Sequence, residues 1–183
     1  LERSGSGYIA KHQPDFMLSE DEWFRGMEIS TGPDGAAFVI DWSDAGECHE
    51  HTGVHRTSGR VFKIQYSRQP LIPLKRDLTT WSQQELAEAH RPQNLWYTQQ
   101  ARLELLRRQQ EGVDLVAARE SLFKIHRSAH ADNHRLLVQT YLTLHVLDAL
   151  VPEDELRNLA HDSEHMRAWA IRLLTESWTI DDA

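Results

Sequence analysis

The sequence predicts an α+β fold in which an N-terminal antiparallel β-meander is followed by an all-α stack of about three helix pairs. Before Pro70, apolar residues alternate with polar ones or form runs of strand length between turn residues. After Pro70 the apolar period becomes helical, and three of the predicted helices share one register. We therefore predict two domains, a β-meander over residues 1–69 and helical repeats over residues 70–183.

The predicted strands are short and separated by turns. Met27 and Ile29 alternate with polar neighbours, and residues 31–35 (TGPDG) predict a turn because Pro fixes φ and Gly accepts a positive φ. The apolar run over residues 36–40 predicts a strand that is buried on both faces. Residues 60–66 predict a third strand and residues 8–12 a weaker fourth one. Joined by turns, these strands form a meander.

Capping residues delimit six predicted helices. Ser82 and Glu85 have the spacing of a capping box, which predicts a short helix that ends near residue 89. Asn94 caps a longer helix that ends near residue 110, because Gly112 follows it. The remaining helices are predicted over residues 115–127, 132–150, 153–161 and 163–177.

The six helices form three pairs with a common register. Three positions of each second helix correspond, at offsets of 37 and 32 residues: Thr98, Arg135 and Arg167; Ala101, Val138 and Ala170; Leu105, Leu142 and Leu174. One helix pair cannot bury its apolar face alone, so repeated pairs of this length predict a HEAT-like solenoid. Three unrelated amphipathic hairpins in a bundle are the alternative.

Composition excludes some classes of function. The net charge of −8 and the pI near 5.7 argue against a nucleic-acid surface, which gains affinity from a basic patch. No apolar window reaches the length of a membrane-spanning helix, so we expect no direct membrane insertion. Residue 1 is Leu and no apolar signal segment follows it, so we expect the chain to be a piece of a longer protein.

A long predicted loop over residues 41–60 contains the chain's one cysteine. Cys48, His49, His51 and His55 could bind a transition metal, zinc or copper, through thiolate and imidazole. Their spacing is not a standard zinc pattern, and the alternative is a loop whose polar residues bond its own backbone. A nucleophilic or redox role for Cys48 is a third interpretation, which would require a low thiol pKa and exposure.

The same loop carries two arginines near two aspartates. Arg56 and Arg60 flank Ser58 and Gly59 and could hold a carboxylate or phosphate in bidentate fashion. They could instead pair with Asp41 or Asp44 and pin the turn. We favour the pinning role.

Several stretches resemble a known family. Residues 23–25 (WFR), 31–35 (TGPDG), 38–42 (FVIDW) and 56–64 (RTSGRVFKI) resemble the last blade of a β-propeller. They look like the propeller of the planctomycete-type membrane-bound dehydrogenases, also called haem-binding CxxCH proteins. Residues 91–102 and 165–174 are similar to the HEAT-like helices that follow that propeller. The order of these elements is more specific than any one of them.

The resemblance implies a function. In that family the propeller resembles soluble quinoprotein sugar dehydrogenases, and the HEAT-like repeats lead to a cytochrome c domain. The chain would then be a non-catalytic fragment of a periplasmic or otherwise extracytoplasmic electron-transfer protein, linking a propeller head to a cytochrome c tail. Its partners would be neighbouring domains, and haem c would be bound only by the cytochrome domain, which this chain lacks. The parent protein would oxidise a sugar or another alcohol.

Two further functions are compatible with the sequence. The first is a HEAT-type scaffold that binds a protein partner. The second is a small metal-binding protein that uses the Cys48 loop. Whether the chain is an enzyme on its own is not decided by its sequence.

Overall fold

The computed structural model describes residues 1–4, 7–43, 57–65, 77–92 and 94–176. The chain divides into two compact units, of which the first comprises residues 1–31 and 36–67 and the second residues 32–35 and 68–183. The main division thus lies between residues 67 and 68, whereas the predicted boundary lies between residues 69 and 70.

The first unit contains two small antiparallel sheets. Strands β1 (Glu2–Ser4) and β2 (Gly7–Ile9) form a hairpin. Strands β3 (Gly26–Thr31), β4 (Ala37–Asp41) and β5 (Arg60–Ile64) form a meander in the order β3-β4-β5. The prediction of an antiparallel β-region ahead of helices is confirmed. Within the described residues, the strands close into neither a barrel nor a propeller.

The turn between β3 and β4 has the predicted chemistry. The amide of Gly35 donates to the carbonyl oxygen of Gly32 at 3.0 Å, and Gly35 adopts a φ of 79°. A side chain would strain the backbone at this φ, so glycine fits the position. The turn sets the register in which Thr31 faces Ala37 and Ile29 faces Val39.

One prediction about the central strand is wrong. The apolar run predicted burial on both faces of β4, but Val39 is 8% exposed whereas Ile40 is 48% exposed. Opposite residues of antiparallel strands share a face, so Ile40 lies between Glu28 and Val61. Both of these neighbours are exposed too. The sheet therefore buries one side of β4, and the apolar run does not distinguish this case from burial on both sides.

The second unit is helical. In its described part, a 3₁₀ turn (Leu78–Thr80) precedes six helices: α1 (Gln83–Glu88), α2 (Leu95–Gln110), α3 (Val116–Ser128), α4 (His134–Val146), α5 (Pro152–Asn158) and α6 (Glu164–Leu174). Helix α4 ends four residues before the predicted limit of 150. The chain turns there, with Asp148 at a φ of 50° and the amide of Ala149 bonded to the carbonyl oxygen of Leu144 at 3.0 Å.

The predicted helix caps are present. The hydroxyl of Ser82 accepts from the amide of Glu85 at 3.2 Å, and the Glu85 carboxylate accepts from the amide of Ser82 at 2.8 Å. The side chain of Asn94 accepts from the amide of Trp96 at 2.9 Å and begins α2. Gly112 follows the end of α2 with a φ of 79°. These local signals fix the starts of α1 and α2.

The helices form three pairs that stack side by side. Helices α1 and α2, α3 and α4, and α5 and α6 pack within pairs, and α1 packs on α3 while α4 packs on both α2 and α6. At the shared register, Ala101 and Ala170 are fully buried and Val138 is 8% exposed. Small or medium residues at these positions let the second helices approach their neighbours. Among the described residues, no helix is long and apolar enough to cross a bilayer.

Candidate functional site

A cluster of charged side chains lies at the end of β4 and the start of β5. Arg60 begins β5 opposite Asp41, the last residue of β4. The Arg60 guanidinium donates from Nε to Asp41 Oδ2 at 2.6 Å and from Nη1 to Asp21 Oδ2 at 2.6 Å. We call Asp21, Asp41 and Arg60 the loop-base cluster. It contains two carboxylates and one guanidinium, so its formal charge is negative.

The carboxylate of Asp41 is enclosed and held by backbone amides. Its side chain is fully buried, and Oδ1 accepts from the amides of Arg25 at 2.7 Å and Ser43 at 2.9 Å. Burial opposes ionisation, but these two amides and the Arg60 guanidinium outweigh it and lower the pKa of Asp41. The hydrogen bond from Arg60, followed by that from the Trp23 amide, lowers the pKa of Asp21. The cluster therefore stays ionised at neutral pH.

The cluster joins the two ends of the long loop. Residues 44–56 connect Ser43 with Thr57, and the Ser58 hydroxyl donates to the carbonyl oxygen of Ser43 at 3.1 Å. Together with the Arg60–Asp41 pair, this bond ties the strand ends on either side of the loop. The arrangement holds the points where the loop leaves and re-enters the sheet.

The structure brings together part of the predicted site. Arg60 and Asp41 are in direct contact. The other members of the predicted sets, Arg56 and Asp44 and the metal candidates Cys48, His49, His51 and His55, lie outside the described residues. Within the described ranges, no group of three or more histidine, cysteine or carboxylate side chains is arranged to hold a metal ion.

Aromatic rings flank the loop-base cluster. The Arg60 guanidinium carbon lies 5.1 Å from the centroid of the Phe62 ring, and the Phe24 and Phe62 rings are 5.9 Å apart. A Cβ at Gly26 would lie 3.0 Å from the Phe24 ring. Glycine at this position therefore permits the close approach of Phe24. The rings shield one side of the guanidinium, which strengthens its pairing with the carboxylates.

A second polar arrangement lies among the first two helix pairs. His90, which follows α1, is fully buried, with Nδ1 3.0 Å from the carbonyl oxygen of Ala87 and Nε2 2.8 Å from the Thr143 hydroxyl. A carbonyl only accepts, so Nδ1 carries the proton and Nε2 accepts from Thr143. Burial lowers the pKa of His90 to about 4, and the charges of Arg102 and Arg135 contribute. His90 is therefore neutral at physiological pH.

Two arginines complete this arrangement. Arg102 on α2 donates from Nε to the Thr143 hydroxyl at 2.9 Å and from Nη2 to the side-chain and main-chain oxygens of Gln139 at 2.6 and 3.1 Å. Arg135 on α4 donates to the carbonyl oxygens of His90 and Arg91 at 3.1 and 2.9 Å. We call these residues the polar seam: His90, Arg102, Arg135, Gln139 and Thr143.

Sequence patterns indicated the polar seam only weakly. Arg135, Gln139 and Thr143 follow one another at intervals of four residues, so they share one face of α4. That pattern is also typical of a solvated face. Arg102 comes directly after the buried Ala101, but nothing in its neighbours indicates that it reaches across to α4. His90 follows a short helix and has no ligand spacing.

Another histidine connects three elements of the last two pairs. His145 on α4 bonds through Nδ1 to Glu155 of α5 and through Nε2 to Glu176 beyond α6, both at 2.9 Å. Partial burial opposes protonation, but the hydrogen bonds to Glu176 and Glu155 outweigh it and raise the pKa of His145. A protonated ring can donate to both carboxylates at once. This contact links α4 to α5 and to the residues that follow α6.

The comparisons with known proteins concern the first unit. Residues 1–70 match the family model of DUF7133, a domain of unknown function. No curated protein and no solved structure matches the chain. The DUF7133 match covers the described strands β1 to β5 and ends before the first helix. It attaches no activity to the chain.

Proposed function

We propose that this chain is a non-catalytic spacer of a dehydrogenase-like, extracytoplasmic electron-transfer protein. In chain order, the DUF7133 region forms the last blade of a propeller head, and HEAT-like helix pairs lead towards a cytochrome c tail. Two points support the proposal. The sequence resembles that family from the β-region through the helices, and the domain match is confined to residues 1–70, after which the architecture becomes paired helices.

The repeated geometry of the helix pairs is the observation that carries the proposal. Ala101, Val138 and Ala170 are buried at equivalent positions. In two pairs, the residue three positions earlier bonds to a carbonyl oxygen that follows the first helix of its own pair: Thr98 to Ala89 at 3.2 Å and Arg167 to His161 at 2.7 Å. In the second pair, Arg135 bonds at 3.1 Å to His90, which follows the first helix of the preceding pair.

A stack built from such units suits a spacer. Each pair contacts only its neighbours, so the length of the stack is set by the number of pairs. Asp41 and His90, whose pKa values are both lowered, are fully buried in hydrogen-bond networks. Burial in such a network is typical of groups that maintain geometry.

The proposal is tested first on the full-length protein. We expect several similar blades ahead of residue 1 and a C-x-x-C-H motif after residue 183. In the full-length protein, substrate should reduce the haem, whereas the 183-residue chain should show no dehydrogenase turnover with an artificial electron acceptor. Turnover by the isolated chain, or a full-length protein with neither feature, would refute the proposal.

A matched pair of variants tests the spacer role directly. Ala101→Asp places a charge at a fully buried position of α2, whereas Leu103→Asp changes a side chain that is 58% exposed on the same helix. We expect the first variant to slow haem reduction by substrate while dye-linked turnover of the head is retained, and the second to alter neither. Equal haem reduction in both variants would contradict a spacer role for these helices.

Metal binding by the Cys48 loop is a second candidate function. The observation that favours it is the restraint on the loop, whose ends are tied by the Ser58–Ser43 bond and the Arg60–Asp41 pair. Tied ends reduce the entropy that a loop loses when it closes around an ion. Metal analysis of the purified chain, repeated after Cys48→Ser and His51→Ala, tests it. A stoichiometric metal that both variants lose supports this function, and no stoichiometric metal in the wild type removes it.

A further inference from the structure

Arg102 and Arg135 are half-buried cations without a carboxylate partner in the part of the chain that the structure describes. All acceptors of Arg102 belong to the neutral residues Gln139 and Thr143, and those of Arg135 are two main-chain carbonyls. Glu88, at the end of α1, is instead bonded to Arg91 at 2.6 Å. Removing a charge from water is costly unless an opposite charge or several hydrogen bonds replace the water.

Burial lowers the pKa of both Arg102 and Arg135, and among the described residues no acidic group opposes this effect. By contrast, the carboxylates of Glu104 and Glu111 raise the pKa of Arg107. Arg119 and Arg167 also bond only to main-chain carbonyls among the described residues, but neither reaches the side chains of a neighbouring helix as Arg102 does.

Arg102 and Arg135 both belong to one face of α4, Arg135 as a residue of it and Arg102 through its hydrogen bonds. This face of α4 carries Arg135, Gln139 and Thr143 on successive turns. Arg102 donates hydrogen bonds to Gln139 and Thr143. Both arginine charges also act on the enclosed ring of His90. The carbonyl oxygens after α1 offset part of the Arg135 charge.

We propose that Arg102, assisted by Arg135 and the side-chain amide of Gln139, binds an oxyanion group, a phosphate or a carboxylate, on the surface of α2 and α4. Nε and Nη2 of Arg102 are engaged with Thr143 and Gln139, so Nη1 is the nitrogen that donates to the ligand. Gln139 Oε1 accepts from Arg102 at 2.6 Å, so the amide nitrogen of Gln139 is the atom that donates to the ligand. The oxyanion supplies the negative charge that the polar seam lacks.

Thermal unfolding of the 183-residue chain tests this site. The probes are sodium phosphate and sodium acetate, each compared with sodium chloride at equal ionic strength and pH. Once the probe exceeds its Kd about tenfold, we expect Tm to rise by roughly 3–6 °C relative to chloride. If only phosphate raises Tm, the site binds a phosphate group. If acetate raises Tm as well, the site also binds a carboxylate. An equal effect of chloride would overturn the proposal.

Matched variants locate the site. Arg102→Gln should abolish the rise, whereas Arg119→Gln should retain it, because Arg119 lies on α3 and donates to the carbonyl oxygen of Leu147 at 2.7 Å. If Arg102→Gln does not fold, the Arg102 Nε–Hε resonance of the wild type is followed by NMR during a phosphate titration. A saturable shift supports the site. An unchanged resonance, or a full Tm rise in a folded Arg102→Gln chain, overturns it.

Discussion

His90 provides a direct test of the polar seam, because its burial favours the neutral ring. In the folded chain, Nδ1 donates to Ala87 and Nε2 accepts from Thr143, whose oxygen also accepts from Arg102. Protonation would require the Thr143 hydroxyl to donate to the Gln139 carbonyl oxygen, 3.0 Å away, and would place a third positive charge in this enclosed site with those of Arg102 and Arg135. Acidification should therefore destabilise the helical unit through this residue.

The size of this destabilisation follows from the pKa values of His90 in the unfolded and the folded chain. Burial lowers the pKa of His90 from 6.5 to about 4, so between these values the unfolded chain binds more protons than the folded one. The stabilisation is fully present above the unfolded value and is lost as pH falls towards the folded one. Linkage gives a loss of about 2 kcal/mol between pH 8 and pH 5, and about 3 kcal/mol in all.

Urea unfolding followed by helical circular dichroism measures this loss at several pH values. His90→Gln removes the titrating group, so its free energy of unfolding should fall by about 2 kcal/mol less than that of the wild type between pH 8 and pH 5. His130→Gln is the control, because that side chain is 83% exposed, and it should change the pH dependence by less than about 0.5 kcal/mol. Parallel curves for wild type and His90→Gln, or an NMR titration of folded His90 near 6.5, would refute the reasoning.

Three further outcomes are expected. Leu122→Ala leaves a cavity at a fully buried position and should lower the free energy of unfolding by about 2–5 kcal/mol. The control Val116→Ala changes a side chain that is 51% exposed and should lower it by about 0.5 kcal/mol or less. Urea titrations of the two variants and the wild type measure both values. His145→Gln should lower Tm more at pH 6 than at pH 9, because a raised folded pKa gives stabilisation below the unfolded value that is lost at higher pH. Ser82→Ala removes half of the capping box and should cost about 1 kcal/mol in the same titration.

The helices could be predicted from the sequence because the residues that begin and end them act locally. The capping box at Ser82, the Asn94 cap and Gly112 each act within a few residues, and the structure places α1 and α2 accordingly. The end of α4 was predicted four residues too late. The apolar residues Leu147, Ala149 and Leu150 continue the pattern, but the chain turns at Asp148. Periodicity records which residues are buried, and a turn can bury them as well as a helix.

The strands of the first unit were harder to predict from the sequence because they are short and one face of the three-stranded sheet is exposed. Strand β1 is three polar or charged residues, Glu2–Ser4, and gives no periodic signal. It exists because it pairs with β2, which is a contact between segments. The Arg60–Asp41 pairing was one of two interpretations of the loop arginines. The contribution of Asp21 was missed, since 39 positions separate it from Arg60.

Both interfaces of the stack combine an apolar core with polar contacts. The first two pairs meet through the apolar core and the polar seam, and hydrogen bonds from Arg102 form at only one register of α2 against α4. Helices α4 and α6 meet through an apolar cluster around Tyr141 and Met166, together with a 3.0 Å hydrogen bond between His134 and Ser163. Apolar contacts tolerate small shifts, whereas a buried polar group that loses its partner remains costly. A repeat pattern of small and apolar residues therefore predicts that the pairs stack, and the polar side chains between them determine how they align.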